Sequence, residues 1–308
     1  MAAIETKQLV KSYGRVKVVK GIDLSVHKGE IFGFLGRNGA GKSTFVNTLT
    51  GIIHPSGGSF SLLGTAGVTD DVKKRIGVMP DYTSFDGAMT GISYLKFLSE
   101  VSGKKASTER CLEVLKKVGL ETDAAKKVAK YSFGMKKKLG IAQAIIHDPE
   151  LIFLDEPTSG LDAESVVHIH TLIRELHQKG KTLFMTSHNL DEVEKLCSRI
   201  AIMKEGQIVK IGSMDELRSF YQSRIVVKIK HGNIPATEEG RLTQWLEGAG
   251  EDVEIQDGYI HITVEQEKKI AEIIRACNEC KVDVYRVEVE EPSLEEIFLD
   301  EQQNTHHG

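Results

Sequence analysis

The nine residues Gly36-Arg37-Asn38-Gly39-Ala40-Gly41-Lys42-Ser43-Thr44 carry the most specific chemistry in the chain. They fit the pattern G-x-x-x-x-G-K-[ST], in which each fixed position has a physical reason. Glycines let the backbone curl so that successive N–H groups converge on phosphate oxygens, and a helix amino terminus adds partial positive charge. Lys42 then neutralises the β- and γ-phosphates of a nucleotide, and the Ser43 hydroxyl is a ligand for Mg²⁺. Glycine-rich strand-to-helix turns also occur for packing alone. The Lys-Ser-Thr ending and the apolar run Ile31-Phe32-Gly33-Phe34-Leu35 before it favour phosphate binding.

A second run, Leu151-Ile152-Phe153-Leu154-Asp155-Glu156, completes the chemistry. Four apolar residues bury as a central strand and deliver two carboxylates at its carboxyl end, where ligand crevices form in such sheets. Asp155 is suited to hold Mg²⁺ through water, and Glu156 to polarise an attacking water as a general base. An ordinary helix-capping or surface acidic pair is the alternative.

These groups need a scaffold that brings them together. Strands are predicted at 4–10, 16–26, 31–35, 151–154, 182–186 and 200–203, separated by helical patterns such as 163–178, which argues for a mainly parallel sheet with helices on its faces. Between 82 and 148 the pattern is helical, with helices at 92–101 and 108–118, and reads as an insertion into the α/β core. After residue 212 the order is strand 224–230, helix 238–246, strands 253–255 and 259–264 around Asp257-Gly258, helix 266–280 and strand 282–289. This β-α-β-β-α-β order is that of a ferredoxin-like unit. It predicts a small α+β domain at 213–308 beside a large one at 1–212, with a last short helix opened by Ser293-x-x-Glu296.

Composition agrees with a globular chain: 308 residues, 40% hydrophobic, 27% charged, six prolines. From Ser213 onward there are 10 Lys and Arg against 21 Asp and Glu, out of 40 and 44 overall, so the second half is acidic and the first modestly basic. An acidic tail argues against nucleic acid as its partner, and a basic first half suits an anionic ligand. No apolar run approaches the roughly 20 residues that cross a bilayer, and no basic-then-apolar leader opens the chain, so a cytosolic protein is expected. Four cysteines are too few and too unevenly spaced for a disulfide framework. Cys277-x-x-Cys280 lacks a second ligand pair and is expected to be one packed thiol and one solvated thiol.

With both carboxylates and the phosphate loop in place, the chain resembles the ABC transporter ATPase family. Tyr131-Ser132-Phe133-Gly134-Met135 lies where the family has its signature, usually written LSGGQ. There the signature of one subunit closes over ATP held by the other, which implies a homodimer with Ser132, Phe133, Gly134 and Met135 acting in trans. Ser159-Gly160-Leu161-Asp162 resembles the D-loop that reaches across that dimer. Thr186-Ser187-His188 resembles the switch histidine, with His188 at the γ-phosphate. Tyr13 resembles the aromatic that stacks on adenine; a buried core tyrosine is the other reading. Phe133 stands in place of a glycine and strains the backbone if that position needs a positive φ.

The resemblance implies a P-loop cassette with a parallel core, an antiparallel β subdomain and a helical subdomain. It also implies ATP and Mg²⁺ as ligands and hydrolysis coupled to a membrane permease on a separate chain. The chain then sits at the inner face of the cell membrane. Glu291-Pro292-Ser293-Leu294-Glu295-Glu296-Ile297-Phe298 looks like the extension of drug, antibiotic or sodium-export ATPases, which favours export. A soluble ABC ATPase and a low-turnover regulator are the alternatives. Lys136-Lys137-Lys138 reads first as a solvated face at a helix start, with nucleic-acid or lipid contact as the alternative and shielding of the bound phosphates as a third option that the resemblance offers. The departure that bears on catalysis is Asp81. The family carries Gln after the Pro of Ile76-Gly77-Val78-Met79-Pro80, and Asp81 offers oxygen to Mg²⁺ or water but donates no hydrogen bond when ionised. Residues 81–91 are the expected coupling surface. Asp81→Gln is expected to preserve or raise the rate of phosphate release from ATP; a collapse in rate assigns the carboxylate a role of its own.

Overall fold

The computed structural model describes residues 1–79, 85, 87–221 and 225–290. The chain divides into two compact units, Met1–Met214 and Asp215–Gly308. Asp81 and the segments 222–224 and 291–308, with the Ser293-x-x-Glu296 pattern, lie outside the described residues.

The first unit is built on a six-stranded sheet in the order Gln207–Ser213, Arg199–Lys204, Ile31–Leu35, Thr182–Ser187, Leu151–Asp155, Ile76–Met79. Its pairs are parallel except the first, which is antiparallel. Every residue of Ile31–Leu35, Leu151–Asp155 and Thr182–Ser187 is buried, as expected of strands covered on both faces. Phenylalanines lock the layer. Phe34 stacks on Phe45 at 4.9 Å between centroids and meets Phe184 at a tilt at 5.5 Å, and Phe153 meets Phe184 at 5.7 Å. Phe45 belongs to the helix Lys42–Leu49, so these contacts anchor the phosphate-loop helix to the sheet.

An antiparallel sheet of Val16–His27, Ala2–Tyr13, Gly57–Leu62 and Thr65–Ala66 supplies a second layer. The strands Gly57–Leu62, Ile76–Met79 and Gln207–Ser213 go beyond those expected from sequence. Gly57-Gly58-Ser59-Phe60-Ser61-Leu62 has weak strand composition and owes its conformation to pairing with Ala2–Tyr13. Helices Gly91–Val101, Thr108–Lys117 and Phe133–Ile145 form the helical region. Each is opened by a hydroxyl cap (Thr90, Ser107, Ser132) accepting the backbone N–H three residues on.

The second unit pairs its strands in the order Glu251–Gln256, Tyr259–Val264, Ile225–His231, Val284–Glu290, all antiparallel. With helices Glu239–Ala249 and Lys268–Glu279 this is the ferredoxin-like arrangement. Val227, Ile229, Ile260 and Ile262 alternate onto one face and pack with Leu242, Leu246, Ile273 and Cys277. Cys277 and Cys280 are both buried, so the expectation of one solvated thiol is corrected. Cys280 closes the helix at its C-cap and turns inward onto the same core. Burial, with the neighbouring Cys280, pushes the Cys277 thiol up to about 11. No group of three or more His, Cys, Asp or Glu side chains that could hold a metal ion occurs among the described residues. Nor does any helix among them have the length and apolarity to cross a membrane.

The helix Phe133–Ile145 sits close on the edge strand Ile76–Met79. A Cβ on Gly77 would fall 1.9 Å from Ala144 O. Gly77→Ala is expected to cost about 1–3 kcal/mol by overpacking, seen as a lower melting temperature in scanning calorimetry, whereas Gly180→Ala, an exposed turn, tests a positive φ without a clash.

Candidate nucleotide site

Gly41 has φ +106° and precedes the helix Lys42–Leu49, and a Cβ there would lie 2.9 Å from Val18 O. Only glycine meets both demands. The loop backbone curls around Lys42, whose Nζ donates to Gly36 O at 2.6 Å and Arg37 O at 3.4 Å. A cleft of ≈ 550 Å³ opens here. Arg37, Asn38, Gly39, Gly41, Lys42, Ser43 and Thr44 line it together with Val18, Glu156, Ser159 and His188. Gly36 and Ala40 shape the loop from behind: Gly36 N–H donates to Ser187 O at 3.3 Å and Ala40 N–H to Arg37 O at 3.1 Å.

Strand register explains why these residues meet. Leu35 pairs with Ser187 and Asp155 with Thr186, so the chain leaves three adjacent parallel strands at one level. Glu156 is buried, and its carboxylate is held at both ends: His188 Nδ1 is 2.7 Å from Oε2 and Lys42 Nζ 3.2 Å from Oε1. Because a carboxylate only accepts, the His188 contact is an N–H donated to Glu156. The Lys42 ammonium is near Oε1 but misaligned for a hydrogen bond, leaving Oε1 buried without one. Asp155 is buried behind them and accepts a hydrogen bond from Thr186 Oγ1. Thr186 Oγ1 in turn accepts from Glu156 N–H at 3.0 Å.

Sequence reading missed Glu192. This carboxylate, 5% exposed, accepts from Thr158 Oγ1 at 2.6 Å and Ser187 Oγ at 2.8 Å, with His170 Nε2 at 3.3 Å. It ties the loop after Glu156 to the loop that bears His188. The available signal was local: Asn189 caps the helix Leu190–Leu196 and places Glu192 in its first turn.

The other predicted residues fall in two places. Ser159 reaches the cleft, whereas Asp162 caps the helix Ala163–Gln178, and hydrogen bonds from Ser165 hold its carboxyl below the ordinary value. Ser132, Phe133, Gly134 and Met135 do not line the cleft. Ser132 caps the helix Phe133–Ile145 and Phe133 is its first residue, exposed and free of positive φ, so the feared strain is absent. The Phe133 ring lies against Gly160 and the Leu161 side chain against Gly134. Lys137 overturns the solvated reading of the lysine run: it is 1% exposed and donates to Glu156 O at 2.7 Å. Tyr13 is half-exposed at the end of Ala2–Tyr13 under the Lys11 ammonium, outside both the core and the cleft lining.

Comparison with known proteins gives this geometry a family. A model described as "ABC transporter" matches residues 19–159, and one described as "ATP-binding protein DrrA1-3-like, C-terminal domain" matches residues 212–301. The linearmycin resistance ATP-binding protein LnrL of Bacillus subtilis (strain 168) is 32% identical over 304 residues, which covers 96% of this chain and 97% of that one. The chain belongs to the ABC transporter ATP-binding proteins. The bacitracin transport ATP-binding protein BcrA of Enterococcus faecalis is 35% identical over 302 residues, 96% of this chain and 94% of that one. The fold is shared with the dimeric post-hydrolysis state of the ATP-binding cassette MJ0796 bound to ADP and Pi. That likeness has a TM-score of 0.65 at 24% identity over 68% of this chain and 98% of that chain. As a member of this family the chain is an ATPase, the nucleotide-binding subunit of an ABC transporter. Glu192→Leu is expected to strand the Thr158 and Ser187 hydroxyls and to cost about 1–3 kcal/mol, read from the urea midpoint; an unchanged midpoint removes the carboxylate from the framework.

Proposed function

We propose that the chain drives an exporter, by Mg²⁺-dependent ATP hydrolysis in a homodimer docked on a separate permease. The observation that carries the catalytic part is the Glu156 carboxylate held between Lys42 Nζ and His188 Nδ1 inside the phosphate-loop cleft. Lys42 meets the β- and γ-phosphates, and the loop amides from Gly36 to Thr44 cradle them. Glu156 takes the proton of the attacking water while His188 fixes its orientation, the nucleophile–base–orienter logic of a hydrolytic site.

The donor set fits a hard cation: the Ser43 hydroxyl lines the cleft and the Asp155 carboxylate is oriented by Thr186 one residue before Glu156. Mg²⁺ held by Ser43 and Asp155, with Asp81 as a further oxygen, supplies charge neutralisation on the phosphates. Tyr13 is assigned to the adenine. Ser132 to Met135 and the loop Ser159-Gly160-Leu161-Asp162 serve the second subunit, which agrees with the signature residues standing outside the cleft of their own chain.

Export is supported by what the relatives are named for, linearmycin resistance and bacitracin transport, and by the DrrA-like second unit. The same reading places the chain on the cytoplasmic face of the membrane, held there by the permease. Glu156→Gln is expected to keep ATP binding, to lower phosphate release by at least about 100-fold, and to accumulate an ATP-dependent dimer in size-exclusion chromatography. Hydrolysis at the normal rate takes Glu156 out of the mechanism.

A further inference from the structure

Glu156 stands in an unusual backbone conformation for a residue of its type. Its φ is +52°, in the left-handed region that a side chain rarely occupies, and it precedes Pro157, which restricts it further. Such conformations persist where the surroundings over-determine them. Two buried side chains do so here. Thr186 Oγ1 accepts the Glu156 N–H at 3.0 Å, and Lys137 Nζ donates to the Glu156 carbonyl oxygen at 2.7 Å. Pro157 has no N–H, so the peptide after Glu156 is gripped through that carbonyl.

A lysine ammonium is costly to bury, and Lys137 is 1% exposed. It is not a residue of the cleft: the ring of Phe133 is 5.9 Å from its Nζ, and its contact with Glu156 is to the backbone, not to the carboxylate. The ammonium meets the one backbone carbonyl whose direction fixes where the Glu156 side chain starts.

We propose that Lys137 is a positioning residue for ATP hydrolysis, holding the Glu156 backbone in its left-handed turn so that the carboxylate faces the cleft between Lys42 and His188. The same contact joins the signature helix, capped by Ser132 one turn earlier, to the catalytic loop of its own chain. The inference rests on Glu156 being the base.

The test is steady-state ATP hydrolysis by the full chain with Lys137→Met, which keeps an unbranched apolar stem and removes the donor, and Lys137→Gln, which has the reach of Met but keeps an N–H donor. Lys137→Met is expected to lower kcat at least tenfold with KM for ATP within twofold of the parent, and Lys137→Gln to lower kcat at least threefold, between the two. A merely structural lysine moves KM, kcat and the melting temperature together; that outcome, or a wild-type kcat in Lys137→Met, overturns the proposal. Should Lys137→Met not fold, as judged by circular dichroism, Lys137→Gln decides alone, an unchanged kcat overturning it. Glu156→Gln run in parallel separates the two layers. If it hydrolyses normally, the assignment of Glu156 fails; if it is inactive while Lys137→Met is normal, only the role of Lys137 fails.

Discussion

Three neighbouring parallel strands, Ile31–Leu35, Thr182–Ser187 and Leu151–Asp155, end level with one another, and the site is a consequence of that register. A parallel sheet puts the carboxyl ends of its strands on one edge, where the next residues leave as loops. Here those residues are Gly36, Glu156 and His188. A shift of any strand would move its loop along the edge and separate groups that now meet within 2.7–3.2 Å. The packed rings of Phe34, Phe45, Phe153 and Phe184 resist such a shift, because one ring cluster spans all three strands and the phosphate-loop helix.

Behind the cleft the same edge is stitched by polar groups. Asp155, Thr186 and the Glu156 N–H form one chain of hydrogen bonds; Thr158, Ser187, His170 and Glu192 form another. Buried polar groups stabilise a unique geometry when all are paired and weaken it when one is not. This construction suits a site that has to present a carboxylate and an imidazole in fixed relation. Glu156 and His188 are each then oriented through a loop whose neighbours are already committed.

Much of this was legible in the sequence, for a specific reason. The phosphate loop, the Asp155-Glu156 pair and His188 are local patterns with fixed chemistry and apolar strands before them, so spacing alone locates them. The β-α-β-β-α-β order after residue 212 is equally local. The burial of Lys137 and of Glu192 was not legible, because a charged residue in a polar stretch looks solvated until tertiary packing buries it. The Lys136-Lys137-Lys138 run shows this most directly: only the middle residue faces the carbonyl of Glu156, nineteen positions on. Cys280 fails for the same reason, its burial set by the turn after the helix Lys268–Glu279 rather than by helical spacing. Gly57–Leu62 was invisible for the converse reason, a strand made by its partner and not by its own composition.

The arrangement also separates the cleft from the surface around Ser132, the two surfaces that the proposed dimer brings to one ATP. The cleft holds groups for the phosphates and the water, while Ser132 and its neighbours point elsewhere on the same unit, packed against Gly160 and Leu161. On the proposed reading, one chain carries two halves of a site, and closure takes a second copy. Within each copy the halves are still mechanically joined, through the Phe133 ring on Gly160 and the Lys137 ammonium on the Glu156 carbonyl. On that reading, a nucleotide met by the helix Phe133–Ile145 acts on a helix already fastened to the backbone of Glu156. Linkage requires such coupling to be reciprocal: a contact that sets Glu156 by way of the signature helix also lets the occupancy of the Glu156 cleft bias that helix.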